Sequence, residues 1–600
     1  MALEPAAGLS LEQGSGAAGG PVSCPAFRRW CLVLLVLLLI FSAWVRWRHV
    51  SLASFDPRPF PDALEYAASA VSLAEGRGLV MPMGSGVYPP RYPYGFPALL
   101  AGAHLAGLPE LRFHLVNFVL GLLLVLIVHA LSRRAGAGPG AALFAAAIVA
   151  TSPQLIDLSF RVLSDLAWLN VVMLIFLLLP SGPPAEGRAV KARLFLAGAA
   201  AGFSVALRVV GVILLPVLLI AAVWPQRRGR RFPPLAAVLP VIAGCAVCLA
   251  PQLLFNQANF GDPLATGYSY WLERYGAATE LFGPQFAAGM EYPTFGNLHY
   301  YATLLGGLVF DGPRQQLYAP AVFLLAAAGL LLLARRARLR GPHAAGVAML
   351  LLQLGFLQFY YGAQVRLIIV VIPWAALWAA EGLQLAWHRP AGARWRCTVR
   401  VGALLACAAV LLPPLGFAVS GAPEVEQWTD RHMPYSQWLL QATPGDALIV
   451  GNLSPVEAEL RLQGRGGREW VQLSDNDGRH VFRLQLRGWR GEGPPLPQAR
   501  FARATGEPGD LLRPLFRAGR KVRWFVGLER RDGRTEPLFT TDRWRLEQVR
   551  TALARGRPVY LVLRPDGRLS GRLLAKVKLN FDATPAGRMR GVRLFRVTAP

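Results

Sequence analysis

The chain has 600 residues, 54% hydrophobic and only 16% charged, with a formal net charge of +27. Soluble domains of average make-up carry about 25% charged residues, so this composition excludes an ordinary soluble protein. It points instead to a membrane protein with an excess of arginine and lysine.

Residues 1–29 lead into the first apolar run and are expected to form a cytoplasmic tail. That run, Trp30 to Val45, has no convincing small-residue cleavage site after it and reads as a retained helix, not a signal peptide. Further apolar runs lie near 113–131, 139–153, 166–180, 194–207, 209–224, 235–255, 318–334, 344–361, 367–387 and 400–419. Several fall short of the ~20 residues of a standard span. Short or broken helices are acceptable where they line a protein cavity.

Basic loops lie at Arg133-Arg134, Arg188 to Arg193, Arg227 to Arg231, Arg335 to Arg340 and Arg389 to Arg400. The positive-inside rule makes all of them cytoplasmic. They alternate correctly if 194–224 is a hairpin of two short helices, which gives about eleven crossings, an inner N-terminus and an outer C-terminus. Arg46 and Arg48, read as following the first helix, run against this pattern.

On this topology the outward segments are a first loop over 46–95, a second over 255–317, the tips near 153–165, 208 and 362–366, and everything after 420. Most polar chemistry therefore gathers on one face, as for a site opening at the outer bilayer boundary. Residues 421–600 contain no spanning run. The stretches 447–450, 522–526 and 558–563 read as strands and Trp544 to Ala554 as a helix. The expected fold is a polytopic α-helical membrane domain over 30–420 followed by an extracytoplasmic α/β domain over 421–600. The arginine excess of that last part suits anionic headgroups or a phosphorylated substrate; composition bias accounts for it equally well.

The cysteines are Cys24, Cys31, Cys245, Cys248, Cys397 and Cys407, in or beside apolar runs or on the inner side. Cys245 and Cys248 have metal-ligand spacing, but they share one apolar run with no second pair, so they read as small packing residues. No Gly-rich phosphate loop, zinc signature or nucleophile elbow occurs. No metal ligand is assigned; a divalent ion stays open, without support in the sequence.

The densest polar cluster follows the first helix: Phe60-Pro61-Asp62-Ala63-Leu64-Glu65-Tyr66-Ala67, then Gly76-Arg77-Gly78, then Val87-Tyr88-Pro89-Pro90-Arg91-Tyr92-Pro93. Ionisable groups beside a membrane are costly and read as functional. Asp62 with Tyr66, Ala67, Leu73 and Gly76, followed by Tyr88 to Pro93, resembles the first outer loop of GT-C fold glycosyltransferases. The nearest group is the polyprenyl-phosphate-sugar-dependent family that includes the aminoarabinose transferase to lipid A and the protein O-mannosyltransferases. Leu163-Ser164-Asp165 resembles that family's second acidic site, and Ala206-Leu207-Arg208 with Gly211 resembles its Thr-Arg segment. Asn259-Phe260-Gly261-Asp262-Pro263 resembles the element after the seventh span. Arg366, with Pro373 and an Ala-rich helix to Glu381-Gly382, resembles the late Arg helix. Two positions depart from the pattern: Ala63 stands where the family often has Glu, and the second acid is Asp165 where Glu is usual.

The resemblance covers about residues 30–420. It implies a multi-pass enzyme of the inner (plasma) membrane that moves a sugar from a polyprenyl phosphate to a lipid, glycan or protein acceptor, with inversion and with no nucleic-acid partner. Such chemistry needs a lipid groove, cations for the leaving phosphate and a base for the acceptor hydroxyl. Asp62 is the expected base. Arg91, Arg208, Arg366, Asp165, Tyr66, Tyr88 and Tyr92 are the expected donor-phosphate and substrate contacts.

Each residue also has a plainer reading. Asp62 and Asp165 suit helix N-caps, and Glu65 is a rival carboxylate expected on a solvated helix face. Asp56 suits a turn. Tyr88 and Tyr92 suit interfacial anchoring, and Arg91 and Arg366 suit snorkelling. Arg208 is harder to dismiss because it interrupts an apolar segment. His299 is structural or faces the acceptor. A transporter or lipid flippase with an appended outer domain is the rival function, but it calls for internal repeats and mid-membrane charges. A non-catalytic scaffold leaves the Asp62 loop without a purpose.

Overall fold

A computed structural model describes residues 25–52, 62–83, 86–179, 187–223, 234–264, 267, 298, 301, 320–335, 341–358, 365–387, 393–420, 438–451, 468–472, 511–517, 523–529, 535–538, 546, 549–563 and 567–600. Asp56, His299 and most of the 255–317 loop lie outside these residues.

The chain opens with α1 (Pro25–Leu52), α2 (Asp62–Ala74), a hairpin of β1 (Met81–Met83) and β2 (Gly86–Tyr88), and α3 (Gly95–Leu105). Next come α4 (His114–Ala135), α5 (Pro139–Thr151), α6 (Pro153–Leu158), α7 (Asp165–Leu178), α8 (Arg188–Leu207), α9 (Leu214–Val223) and α10 (Pro234–Phe260). The last helices of this part are α11 (Pro320–Arg335), α12 (Pro342–Gln358), α13 (Val371–Trp387) and α14 (Ala393–Ser420).

Four of these helices are long and apolar enough to cross a bilayer: Arg29–Arg48, His114–Ala135, Arg188–Leu207 and Ala237–Phe260. Shorter apolar helices of 10–17 residues accompany them, including Gly95–Leu105, which the apolar runs do not reveal. Large apolar side chains stand on their outer faces: Leu37 is 54% exposed, Leu254 70%, Leu324 72% and Leu405 65%. Such faces are costly in water and suit lipid, where the backbone satisfies itself within each helix. Pro240 and Pro251 inside α10 fit the same setting. This is a helical membrane protein.

The interior is closely packed. Every residue of α13 from Val371 to Gly382 is buried, and Trp374 meets Phe176 of α7 edge-on at 4.8 Å. With no hydrophobic drive between helices in lipid, close backbone approach at small residues holds them together. A Cβ added to Gly244 of α10 would lie 2.0 Å from Phe195 O of α8, and one on Gly198 would lie 2.1 Å from Val241 O. Cys245 lies in the same seam, where a Cβ on Gly202 would lie 2.4 Å from its carbonyl oxygen. Gly244→Leu should therefore force α8 and α10 apart and lower the thermal midpoint in detergent by about 5 °C or more. An unchanged midpoint would show that the seam tolerates separation.

Arg46 corrects the sequence reading. It is no flanking loop charge, because α1 runs on past it to Leu52. It is fully buried, donating from Nε to Ser159 Oγ at 3.1 Å and from Nη1 to Ala150 O at 3.0 Å and to Ser42 Oγ. Its charge therefore says nothing about sidedness. Arg48 donates to Val419 O at 2.6 Å, tying α1 to α14.

Beyond α14 the described residues form mixed α and β structure. One sheet has the order β4-β3-β8-β10-β9, from β3 (Leu448–Gly451), β4 (Glu469–Gln472), β8 (Val559–Leu563), β9 (Asp582–Met589) and β10 (Val592–Thr598). β3 runs parallel to β4 and β8, and β10 antiparallel to β8 and β9. Leu448, Val450, Leu561 and Leu563 pack with Leu573 and Val577 of α15 (Gly567–Lys578), while Ile449, Val562 and Leu594 pack with Leu439. Alternate residues of each strand thus feed two cores, as the period of two requires. A second sheet joins β5 (Leu511–Arg517), β6 (Arg523–Glu529) and β7 (Thr535–Leu538).

Candidate active site

α2 starts at Asp62, so this residue lies in the first helical turn and not one position before it. Its carboxylate turns to tertiary partners. Oδ1 accepts from the Tyr92 hydroxyl at 2.5 Å and Oδ2 from Arg366 Nη2 at 2.7 Å. Glu65, one turn on and hence on the same helix face, is buried as well, and it pairs with Arg91. This overturns the solvated-face expectation. Burial pushes the Glu65 carboxyl above the usual range, with Arg91 pulling it down and Asp62 adding to the rise.

Tyr66 follows Glu65 and faces inward. Its ring stacks on Tyr92 at 4.7 Å and meets Phe96 edge-on at 5.0 Å. Its hydroxyl is hydrogen-bonded to Ser164 Oγ at 3.0 Å. Burial holds the Tyr66 phenol well above its ordinary range, so it stays neutral. Tyr92 is therefore no simple interfacial anchor. It donates to the carboxylate below, stacks on Tyr66, and lies under the Arg91 guanidinium, 5.4 Å from the ring centroid. Tyr88 closes β2, and its side chain lies outside the described set.

The second acid comes from the start of α7. Asn117 of α4 donates to Arg161 O at 2.6 Å and Leu163 O at 2.7 Å, which pins the turn carrying Ser164 and Asp165. Asp165, with a side chain only 1% exposed, pairs with Arg208. Arg208 sits where α8 ends, in extended backbone at φ −151°, ψ 131°. A 3-10 turn, Val209–Ile213, follows it before α9. Two glycines permit this crossing. A Cβ on Gly95 would lie 2.7 Å from Ala206 O, and one on Gly211 would lie 2.5 Å from Ser204 C.

Arg366 lies on the 3-10 turn Val365–Leu367 that leads into α13. Burial works to lower its pKa, but Asp165 and Asp62 outweigh that and raise it. Both acids thus act on one guanidinium. The expected residues Asp62, Tyr66, Tyr92, Asp165, Arg91, Arg208 and Arg366 accordingly converge, and they are joined by Ser164 of the second acidic element and by Glu65, the rival carboxylate expected on a solvated face. Among the described residues no group of three or more His, Cys, Asp or Glu sets up a metal site. The three acids each face a guanidinium instead.

Asp262 is a local turn former, accepting from Leu264 N–H at 2.9 Å. Asn256 and Gln252 link that turn to the site loop. Asn256 Nδ2 donates to Pro263 O at 2.9 Å, Gln252 Nε2 donates to Asn256 Oδ1 at 2.7 Å, and Tyr94 N–H donates to Gln252 Oε1 at 2.9 Å.

Residues 81–255 match the family model described as dolichyl-phosphate-mannose-protein mannosyltransferase. Over nearly its whole length the chain is similar in structure to ArnT from Cupriavidus metallidurans in the apo state, with a TM-score of 0.60, 14% identity, and coverage of 95% of this chain and 98% of that one. The chain has the GT-C glycosyltransferase fold. The same ArnT bound to undecaprenyl phosphate matches this GT-C chain with a TM-score of 0.57, 14% identity, and the same 95% and 98% coverage. The oligosaccharyltransferase of Archaeoglobus fulgidus, in a complex with Zn and sulfate, matches at a TM-score of 0.47 and 16% identity, covering 72% of this chain and 62% of that chain. No curated protein matches the sequence significantly. Within the GT-C fold, the matched 81–255 region carries Arg91, Tyr92, Asp165 and Arg208, while Asp62 and Arg366 flank it.

Proposed function

We propose that this chain transfers a sugar from a polyprenyl phosphate to a hydroxyl acceptor, with Asp62 as general base and Arg208 and Arg366 as the cations that hold the leaving phosphate. The observation that carries the reading is the convergence of Asp62, Asp165, Arg208 and Arg366, from four separate helical segments, on one polar cluster in an otherwise apolar fold. The mannosyltransferase family match and an ArnT that binds undecaprenyl phosphate support the same donor class.

In this reading the acceptor hydroxyl attacks the anomeric carbon from the face opposite the phosphate, and the sugar inverts. Asp62 takes the hydroxyl proton as the bond forms. Positive charge develops on the sugar ring and negative charge on the departing phosphate. Guanidiniums fixed in a water-poor setting stabilise that departing charge, and their planar forks suit phosphate oxygens. Tyr92 and Tyr66 hold the base in place. Arg91 is assigned here to Glu65 and the Tyr92 ring, with no direct phosphate contact.

Transfer assayed in proteoliposomes with labelled undecaprenyl-phosphate sugars and an envelope extract as acceptor tests the reading. Label should move to the extract only when the protein is present. A donor left intact under all acceptors would refute it.

The proposed setting is the inner membrane, with the chain's start in the cytoplasm, about eleven crossings, and residues 421–600 as an outer domain. The basic loops support this orientation. A periplasm-active reporter fused after Pro600 should give signal, and a cytoplasm-only reporter should stay silent. The reverse pattern would invert the topology.

A further inference from the structure

The site holds three carboxylates and three guanidiniums, paired as Asp62–Arg366, Asp165–Arg208 and Glu65–Arg91. Such a site is charge-balanced, so an incoming phosphate finds no uncommitted cation among these three arginines. Partly buried anions are costly without a partner, and one pair has to open before a guanidinium serves the phosphate.

The three pairs differ in what opening leaves behind. Glu65 Oε2 and Asp165 Oδ2 are buried with no hydrogen-bond partner among the described residues. Taking away the arginine would strip the remaining oxygen of either acid of its ion-pair partner. Asp165 is also the deepest, its side chain 1% exposed against 10% for Asp62. Asp62 keeps a second side-chain hydrogen bond, because the Tyr92 hydroxyl stays on Oδ1 at 2.5 Å whatever Arg366 does. The Asp62–Arg366 pair therefore opens at the lowest cost.

We propose, resting on the transferase reading above, that Arg366 exchanges partners: Asp62 holds it before the donor binds, the donor phosphate then takes it, and the exchange bares Asp62 Oδ2 for the acceptor hydroxyl. The base is masked until the donor is seated, so donor binding precedes acceptor activation. In the step that follows, the acceptor O–H proton passes to Oδ2 and the acceptor oxygen bonds to the anomeric carbon. The bond from that carbon to the phosphate oxygen breaks. Its electron pair stays on the lipid phosphate, whose charge Arg366 now holds. Sequence distance hides this link, since the two partners lie 304 residues apart.

Undecaprenyl phosphate alone, titrated into the full-length protein in lipid nanodiscs and followed by tryptophan fluorescence, tests the exchange. A ligand whose site must first shed an internal partner binds more weakly by the fraction already open. Asp62→Asn should therefore bind the lipid phosphate about tenfold tighter than the unaltered chain. Asp62→Ala should do the same, and serves if the Asn variant folds poorly. Glu65→Gln should not tighten binding, because Arg91 makes no phosphate contact in this reading, and Arg366→Lys should weaken it. Unchanged or weaker binding by both Asp62 variants, with the unaltered chain still binding, would overturn the exchange alone. Failure of the unaltered chain to bind undecaprenyl phosphate would overturn the transferase reading, and the exchange with it.

Discussion

Asp62→Asn should lower sugar transfer by about 10²–10⁴-fold, the range for loss of a positioned acid or base. The protein should still fold and insert. Asn keeps the side-chain shape, and its amide oxygen still accepts from Tyr92 or Arg366. A structural role alone therefore predicts little loss. The kinetic pattern separates the readings further. Loss of the base should appear in kcat, whereas tighter lipid-phosphate binding should appear in the donor affinity. A well-folded Asp62→Asn chain that transfers sugar near the unaltered rate would falsify the assignment. Glu65→Gln is not a silent control for this experiment. Glu65 is buried and paired, and its loss leaves Arg91 over the Tyr92 ring without its counter-charge. A milder fall in transfer is expected there.

The second large effect is expected at Asp165. Asp165→Ala removes a carboxylate that is 1% exposed and leaves Arg208, 16% exposed, without its partner. Breaking a buried pair from one side costs about 3–5 kcal/mol, so the thermal midpoint and the yield of folded protein should both drop. Replacing the pair together, as Asp165→Leu with Arg208→Met, should regain much of that stability, because apolar groups of similar volume often substitute for a buried pair. It should not regain transfer. Stability and transfer recovering together in the double variant would mean that the pair is a packing device only.

The main outline of the fold was legible because lipid imposes a simple pattern. Apolar runs mark helices, and Asp165, Arg208 and Arg366 stand out because charge is rare within or beside such runs. The limits of the pattern are equally physical. Glu65 lies one turn after Asp62, but burial of that face depends on Arg91, 26 residues away across a hairpin too short to show alternation. Tyr92 is an aromatic at a membrane boundary, and anchoring and hydrogen bonding leave the same signature in composition. Arg46 misled because apolarity fades after Val45 while the helix continues to Leu52. Only its tertiary partners Ser159 and Ala150 explain a charge there. The small residues that bring helices together, such as Gly95 against Ala206, are indistinguishable in sequence from the many other glycines of an Ala- and Gly-rich chain.

The most direct measurement of the central claim is a cryo-EM map of the full-length protein in nanodiscs with undecaprenyl phosphate bound. Phosphate density is expected within hydrogen-bond reach of Arg366 or Arg208, beside Asp62, with the prenyl chain running out between helices toward lipid. Phosphate density bound elsewhere, with the Asp62–Arg366 pair still closed, would contradict it.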